Sequence, residues 1–247
     1  MTKKIAYLTI DDAPSDDFKR KIDFLSSKQI PAIFFCTGKN MEKRPSEVIN
    51  AIHKGFIIGN HSYNHIHFSY LSLKKCYEEI EKTDKIIDML YEQANVKRPM
   101  KVFRFPNLDK GCSFHWNILS RFGIPVGIVR KKSIQAFLRK LGYRQPSFNN
   151  INYKWYKIES YHKDVDVYPT YDTHDWTVAD KSYIHGIKNL KDILNRMDEN
   201  VPEGRRGLNY SKSNDIIMLH DTSNISNLFV PMINRLLKKG IVFRLSK

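Results

Sequence analysis

The stretch KIAYLTIDDAPSDDFKRKIDFLSSKQIPAIFFCT, Lys4 to Thr37, holds two apolar runs separated by one amphipathic segment. The runs at 4–10 and 31–37 are apolar almost without a break, as strands covered on both faces are. Between them, Phe18, Ile22 and Leu25 recur at helical spacing, which predicts a helix over 17–29. Strand, helix and strand within some thirty residues make a βα unit with parallel strands.

The same alternation continues outward from this unit. It predicts a helix at 45–54 closed by Gly55, a strand at 56–60, and a long helix at 73–94 with Cys76, Ile80, Ile87 and Leu90 near one face. Beyond these come a strand at 102–105, a helix at 114–122, a strand at 125–129 and a helix at 133–141. A strand at 165–171, a helix at 185–197, a strand at 215–219, a helix at 228–239 and a strand at 241–245 complete the chain. Seven or eight βα units without a linker or repeat predict the α/β class, as one distorted (β/α)7-8 barrel domain over residues 1–247. Residues 142–163 break the period. They are polar and aromatic, and read as an inserted loop over the site. Its Tyr143, Trp155, Tyr156 and Tyr161 would either stack on a ligand or pack the loop itself.

Forty-one Lys and Arg against 26 Asp and Glu give a net charge of +15 over 247 residues. That charge suits an anionic partner, or else a lysine-rich solvated surface. Basic residues are spread along the chain, which argues against a dedicated nucleic-acid stripe. No run approaches the roughly eighteen apolar residues of a membrane span, so an integral membrane protein is not expected. The start of the chain leads directly into the first strand, with no room for a leader. It reads as cytoplasmic, or as extracellular or cell-wall if a leader was removed. Cys36, Cys76 and Cys112 show no CxxC spacing and read as reduced structural thiols.

Chemically potent residues fall repeatedly just after strands: Asp11 and Asp12, then His61 and His65, Arg104, Asp172 and Asp175, and His220. In a parallel barrel all carboxyl ends of strands meet at one rim, so these groups are expected to converge. His61-Ser-Tyr-Asn-His65 puts two imidazoles four residues apart, read as one side of a helical turn and near enough for one ion. Two adjacent carboxylates repel each other unless a cation or a proton separates them. Asp12 would then bind metal, and Asp11 would take a proton from water.

Taken in order, these residues resemble the polysaccharide deacetylase family, which carries the NodB homology domain. Thr9-Ile-Asp-Asp-Ala-Pro14 is similar to that family's TFDDGP, and His61 to His65 matches H-(S/T)-x-x-H. Arg104-Phe-Pro106 is similar to R-x-P, Asp172-Thr-His-Asp-Trp176 matches D-x-x-D-W, and Leu219-His220 is close to L-x-H. The resemblance implies a metal held by Asp12, His61 and His65, with Zn2+ first and Co2+ or Ni2+ as substitutes. It implies Asp11 as general base oriented by Arg104, and His220 as general acid paired with Asp175. Trp176, Leu219, Pro106 and Asn107 would contact substrate, and Asp172 would serve as a cap or loop acceptor. Ala13 stands where the family has glycine, so a positive-φ turn there would be strained. The implied reaction is removal of an acetyl group from the nitrogen of an acetamido sugar, in a glycan, peptidoglycan or a glycan precursor. An anionic or lipid-linked glycan would suit the positive charge. Deformylation or cyclic-amide hydrolysis, and a decayed carbohydrate-binding barrel, are the rival expectations.

Overall fold

The computed structural model describes residues 4–112 and 126–245. Five parallel strands form the sheet in the order β3-β2-β1-β5-β4, and a sixth, β6, pairs with the start of β1. They are β1 (Ile5–Ala13), β2 (Ala32–Cys36), β3 (Ile57–Asn60), β4 (Tyr171–Asp172), β5 (Asp215–His220) and β6 (Val242–Phe243). Helices α1 (Phe18–Ser27), α2 (Gly38–Lys43), α3 (Pro45–His53) and α4 (Leu73–Gln93) follow the first three strands. Helices α5 (Val126–Lys140), α6 (Lys154–Ile158), α7 (Trp176–Ala179), α8 (Leu190–Asp198) and α9 (Ser226–Lys238) occupy the rest. Phe18, Ile22 and Leu25 are fully buried, as are Cys76, Ile80 and Ile87, so both sequence-read helix faces point inward.

Ladders of strand pairing do not close the ring. Between β3 and β4 the circuit runs through a few bonds: Asn60 N–H donates to Val102 O (2.9 Å). Arg104 N–H donates to Asn60 O (3.1 Å), and Val167 N–H donates to Phe103 O (2.8 Å). This is an α/β barrel distorted on one side. The strand expected at 102–105 is reduced to one bridge between Phe103 and Asn60. The strand expected at 165–171 shrinks to Tyr171–Asp172, because Pro169 lacks the donor that a ladder needs.

Other boundaries moved for local reasons. Residues 126–129 of the apolar run at 125–129 lie in the helix Val126–Lys140; a run that short does not separate strand from helix. The helix expected at 185–197 starts at Leu190, where Asn189 caps it by accepting from Asp192 N–H at 3.2 Å. The helix expected at 114–122 lies outside the described residues.

The sheet has two different faces. Ala6, Leu8, Ile10, Phe34, Ile58, Ile217 and Leu219 pack outward against the helices. Tyr7, Ile33, Phe35, Ile57, Val102 and Ile216 face the barrel interior. The interior cluster continues into Tyr153, Tyr156 and the half-buried Trp155 and Tyr161. Tyr161 stacks on Tyr168 with centroids 3.8 Å apart. The segment 142–163 is thus a packed structure containing α6, and Tyr143 and Tyr156 are buried within it.

Candidate active site

Asp11 and Asp12 owe their shared position to a break in the pairing of β1 with β2. The ladder is regular up to Ile10 opposite Phe34 and resumes at Ala13 opposite Cys36, one residue out of step. Along a regular strand, successive side chains point to opposite faces. A bulge with Asp12 in the left-handed region (φ 68°) removes that alternation. Both carboxylates then reach His61. Its Nε2 lies 3.8 Å from Asp11 Oδ2 and 3.6 Å from Asp12 Oδ1. The strain expected at Ala13 therefore falls on Asp12, a residue type that tolerates this conformation better than most.

His61 and His65 meet by a different route from the helical turn the spacing suggests. They sit in an irregular loop after β3, where Ser62 (φ 62°) and His65 (φ 59°) are left-handed. Ser62 N–H donates to the Asn60 side chain, and His65 N–H donates to Ser62 Oγ. These bonds fold the loop so that the imidazole centroids lie 4.9 Å apart. His65 Nε2 is 3.1 Å from Asp12 Oδ1.

The donor chemistry fits a divalent cation. His61 Nδ1 lies 2.9 Å from the Arg104 carbonyl, which fixes Nδ1 as the protonated nitrogen and leaves the Nε2 lone pair for the site. Burial, reinforced by neighbouring His65 and only partly offset by Asp12, pulls the His61 pKa down to about 3. A neutral imidazole is the form that binds metal. One ligand atom from each of Asp12, His61 and His65 lies within 4.8 Å of the others. Two histidines and one carboxylate leave coordination positions open, as catalytic sites require.

Arg104 is fully buried and pins Asp11. Its guanidinium donates to Asp11 Oδ1 (2.6 Å), Thr9 Oγ1 (2.8 Å) and the Val167 carbonyl (2.9 Å). It also lies over the Phe35 ring at 4.4 Å. Planar stacking together with a forked set of donors is a role lysine does not fill.

His220 stands across the β1–β5 ladder, in register with Asp11. Asp175 grips it twice, accepting from its backbone N–H (2.9 Å) and lying 2.7 Å from Nδ1. Burial alone would lower the His220 pKa, but the fully buried Asp175 carboxylate outweighs it. With Asp12 and Asp172 adding to the pull, the pKa is pushed up to about 10. Asp172, Asp175 and His220 also offer three ligand atoms within 4.8 Å. Asp175 and His220 already direct theirs at each other, so that cluster is occupied by its own ion pair.

The remaining sequence-read positions are distributed. Trp176 is half-buried, its indole N–H donating to Asp172 Oδ2 at 3.2 Å. Asp172 also accepts from His174 N–H at 2.8 Å, a loop acceptor as its sequence suggests. Pro106 is buried and Asn107 exposed, the latter in the left-handed region (φ 54°). Leu219 is brought to the outer cluster beneath the helices and is fully buried there.

Sequence reading missed a clamp beneath the rim. Asp221 accepts from Ser15 Oγ (2.6 Å) and Ser15 N–H (2.8 Å), and it pairs with the buried Lys21 ammonium. Its own N–H donates to Asp11 O at 2.8 Å. The loop after β1 is thereby tied to the loop after β5. The signal was available: Lys21 interrupts the apolar face formed by Phe18, Ile22 and Leu25.

The polysaccharide deacetylase family model matches residues 1–127, just over half of the chain. The chain belongs to the polysaccharide deacetylase family. It is 37% identical over 84 residues to a peptidoglycan-N-acetylglucosamine deacetylase of Bacillus cereus, covering 34% of this chain and 30% of that relative. It is 31% identical over 100 residues to the peptidoglycan-N-acetylmuramic acid deacetylase PdaC of Bacillus subtilis, covering 39% and 21%. The chain thus matches under a third of the length of these curated relatives. A family 4 carbohydrate esterase from Streptomyces lividans superposes with a TM-score of 0.59 at 19% identity, covering 98% of this chain and 92% of that one. A pseudoenzyme of the same esterase family from Bacillus anthracis superposes as well, with a TM-score of 0.61 at 18% identity over 98% and 63%. A carbohydrate esterase and a pseudoenzyme share this fold, so the family's fold alone does not carry an activity.

Proposed function

We propose that this deacetylase-family protein removes the N-acetyl group from an acetamido sugar, with a divalent metal, foremost Zn2+, held by Asp12, His61 and His65. One observation carries the reading. A two-histidine, one-carboxylate donor set shares its rim with a carboxylate held by arginine and a histidine held in its charged form. Amide hydrolysis needs all of these parts: a base for water, stabilisation of a developing oxyanion, and an acid for the leaving nitrogen.

A divalent ion bound there supplies Lewis-acid polarisation of the amide carbonyl and lowers the pKa of water. The chain's own residues do the rest. Asp11, fixed by Arg104, accepts the proton of the attacking water. His220 presents a proton to the sugar nitrogen, which leaves poorly until it is protonated. Asp175 keeps that proton on His220 and sets which ring nitrogen faces the substrate. Trp176 walls the pocket for the acetyl methyl.

The test is acetate release by the Zn2+-loaded protein from chitooligosaccharides, peptidoglycan fragments and nucleotide sugars, before and after chelation. Acetate from at least one of them, lost on chelation and restored by Zn2+ or Co2+, is the expected result. Full turnover by metal-free protein would sink the metal reading. No acetate from any of them, with release of formate or opening of a cyclic amide instead, would replace the substrate class.

A further inference from the structure

Beside Asp12 and His65 opens a cleft of about 410 Å3, walled by α2 on one side and by the turn Asp221–Ser223 on the other. Helix α2 brings Lys39 and Lys43 to it, four residues apart and therefore on one face of the helix. Both are exposed.

The other charges lining this cleft are accounted for. Arg44 pairs with Asp16, Asp221 pairs with buried Lys21, and Asp12 faces the two histidines. Glu42, the carboxylate on α2 itself, accepts from Tyr63 OH at 2.6 Å. Lys39 and Lys43 have no carboxylate partner among the described residues, so one wall keeps two uncompensated positive charges.

We propose that this cleft is a subsite for a negatively charged substituent, a phosphate or a carboxylate, on the glycan. Lys39 and Lys43 contact the anion. The inference rests on the deacetylase reading for the sugar seated at the metal, and it makes the substrate an acidic glycan. Exposed ammonium groups act as flexible point charges, so the subsite takes either anion and weakens as salt rises.

The experiment titrates Zn2+-loaded protein calorimetrically with N-acetylglucosamine, N-acetylglucosamine 1-phosphate and N-acetylmuramic acid. Wild type is compared with Lys39→Ala/Lys43→Ala at low and at high salt. At low salt, wild type binds an acidic sugar about tenfold more tightly than the neutral one, a difference two surface charges supply. The double variant binds all three alike. The phosphate and carboxylate arms identify which anion is preferred. Equal affinity of wild type for all three sugars overturns the proposal, and so does a preference that survives in the double variant. Acetate release is followed in parallel. Acetate without charge preference refutes the subsite alone, whereas charge preference without acetate from any sugar refutes the deacetylase reading alone.

Discussion

His61 and His220 stand at one rim, 2% and 10% exposed at their side chains, and the protein drives their protonation in opposite directions. Their surroundings differ chiefly at Nδ1. His61 gives its Nδ1 to a neutral acceptor, the Arg104 carbonyl, and has another imidazole beside it, so burial wins and its pKa falls to about 3. His220 gives its Nδ1 to the Asp175 carboxylate, which outweighs burial and lifts the pKa to about 10. In the proposed reaction, a carbonyl against a carboxylate at the far nitrogen decides between a ligand and an acid. One residue type is thus held in two protonation states at one rim.

The sharpest way to break this contrast is to delete each ring in turn. In the proposed reaction His61→Ala loses both zinc and turnover, with kcat/KM falling about 10^3-fold or more, since several kcal/mol of Lewis-acid stabilisation go with the ion. His220→Ala keeps zinc at about one per chain and loses turnover about 10^2- to 10^4-fold, the range for a general acid. Metal analysis of the two dialysed variants checks this directly. Zinc lost from both would mean that the two histidines serve one site.

Asp175→Asn tests the carboxylate that makes His220 an acid. Without that charge, burial is no longer outweighed, and the His220 pKa drops below its ordinary 6.5. An acid works only while protonated, so the alkaline limb of the kcat profile moves from the alkaline range to below neutrality. A cation at Asp12 offsets that residue's share of the shift, which places the wild-type limb under 10 in the loaded enzyme. Stability follows the same sign. A raised pKa contributes stability in full below pH 6.5, and that contribution is lost as pH rises through about 10. The variant lacks the stabilisation near neutrality and shows a flatter dependence of Tm across this window. An unchanged alkaline limb would remove Asp175 from the mechanism.

Both histidines were legible in the sequence because residues after strands converge in a parallel barrel. Strands β1, β2 and β5 were legible as nearly unbroken apolar runs, and α1 and α4 as helical faces. What stayed hidden depends on pairing between distant segments. Nothing in Thr-Ile-Asp-Asp-Ala announces a bulge, since a bulge is defined by the register of β1 against β2. The strand positions at 102–105 and 165–171 look like their neighbours in composition, yet one bridge at Phe103 and scattered bonds short of Tyr171 replace full ladders there. Asp221 reads as an ordinary loop residue until Lys21 and Ser15 arrive from α1 and the loop before it.

The smallest effect is expected behind the two histidines, where Tyr143 supports their loop without touching the site. Its hydroxyl donates to Asp84 Oδ1 at 2.6 Å and accepts from Asn60 Nδ2 at 2.8 Å. Asn60 Oδ1 in turn receives Ser62 N–H, the first bond of the loop that carries His61 and His65. Tyr143→Phe keeps the ring in its buried slot and removes only that hydroxyl. Asp84 retains Arg98 and Lys101, and Asn60 Nδ2 retains the Ile80 carbonyl, so no partner is left wholly unpaired. The expected cost is about 1 kcal/mol, a fall in Tm of about 2–4 °C for a domain of this size. Turnover should change less than about threefold, because Ser62 stays bonded to Asn60 and the ligand geometry is held at its other end by Arg104. A calorimetric scan and a zinc titration of this one variant separate the two contributions. A large loss of zinc affinity with little loss of Tm would make Tyr143 part of the site's positioning rather than of its foundation.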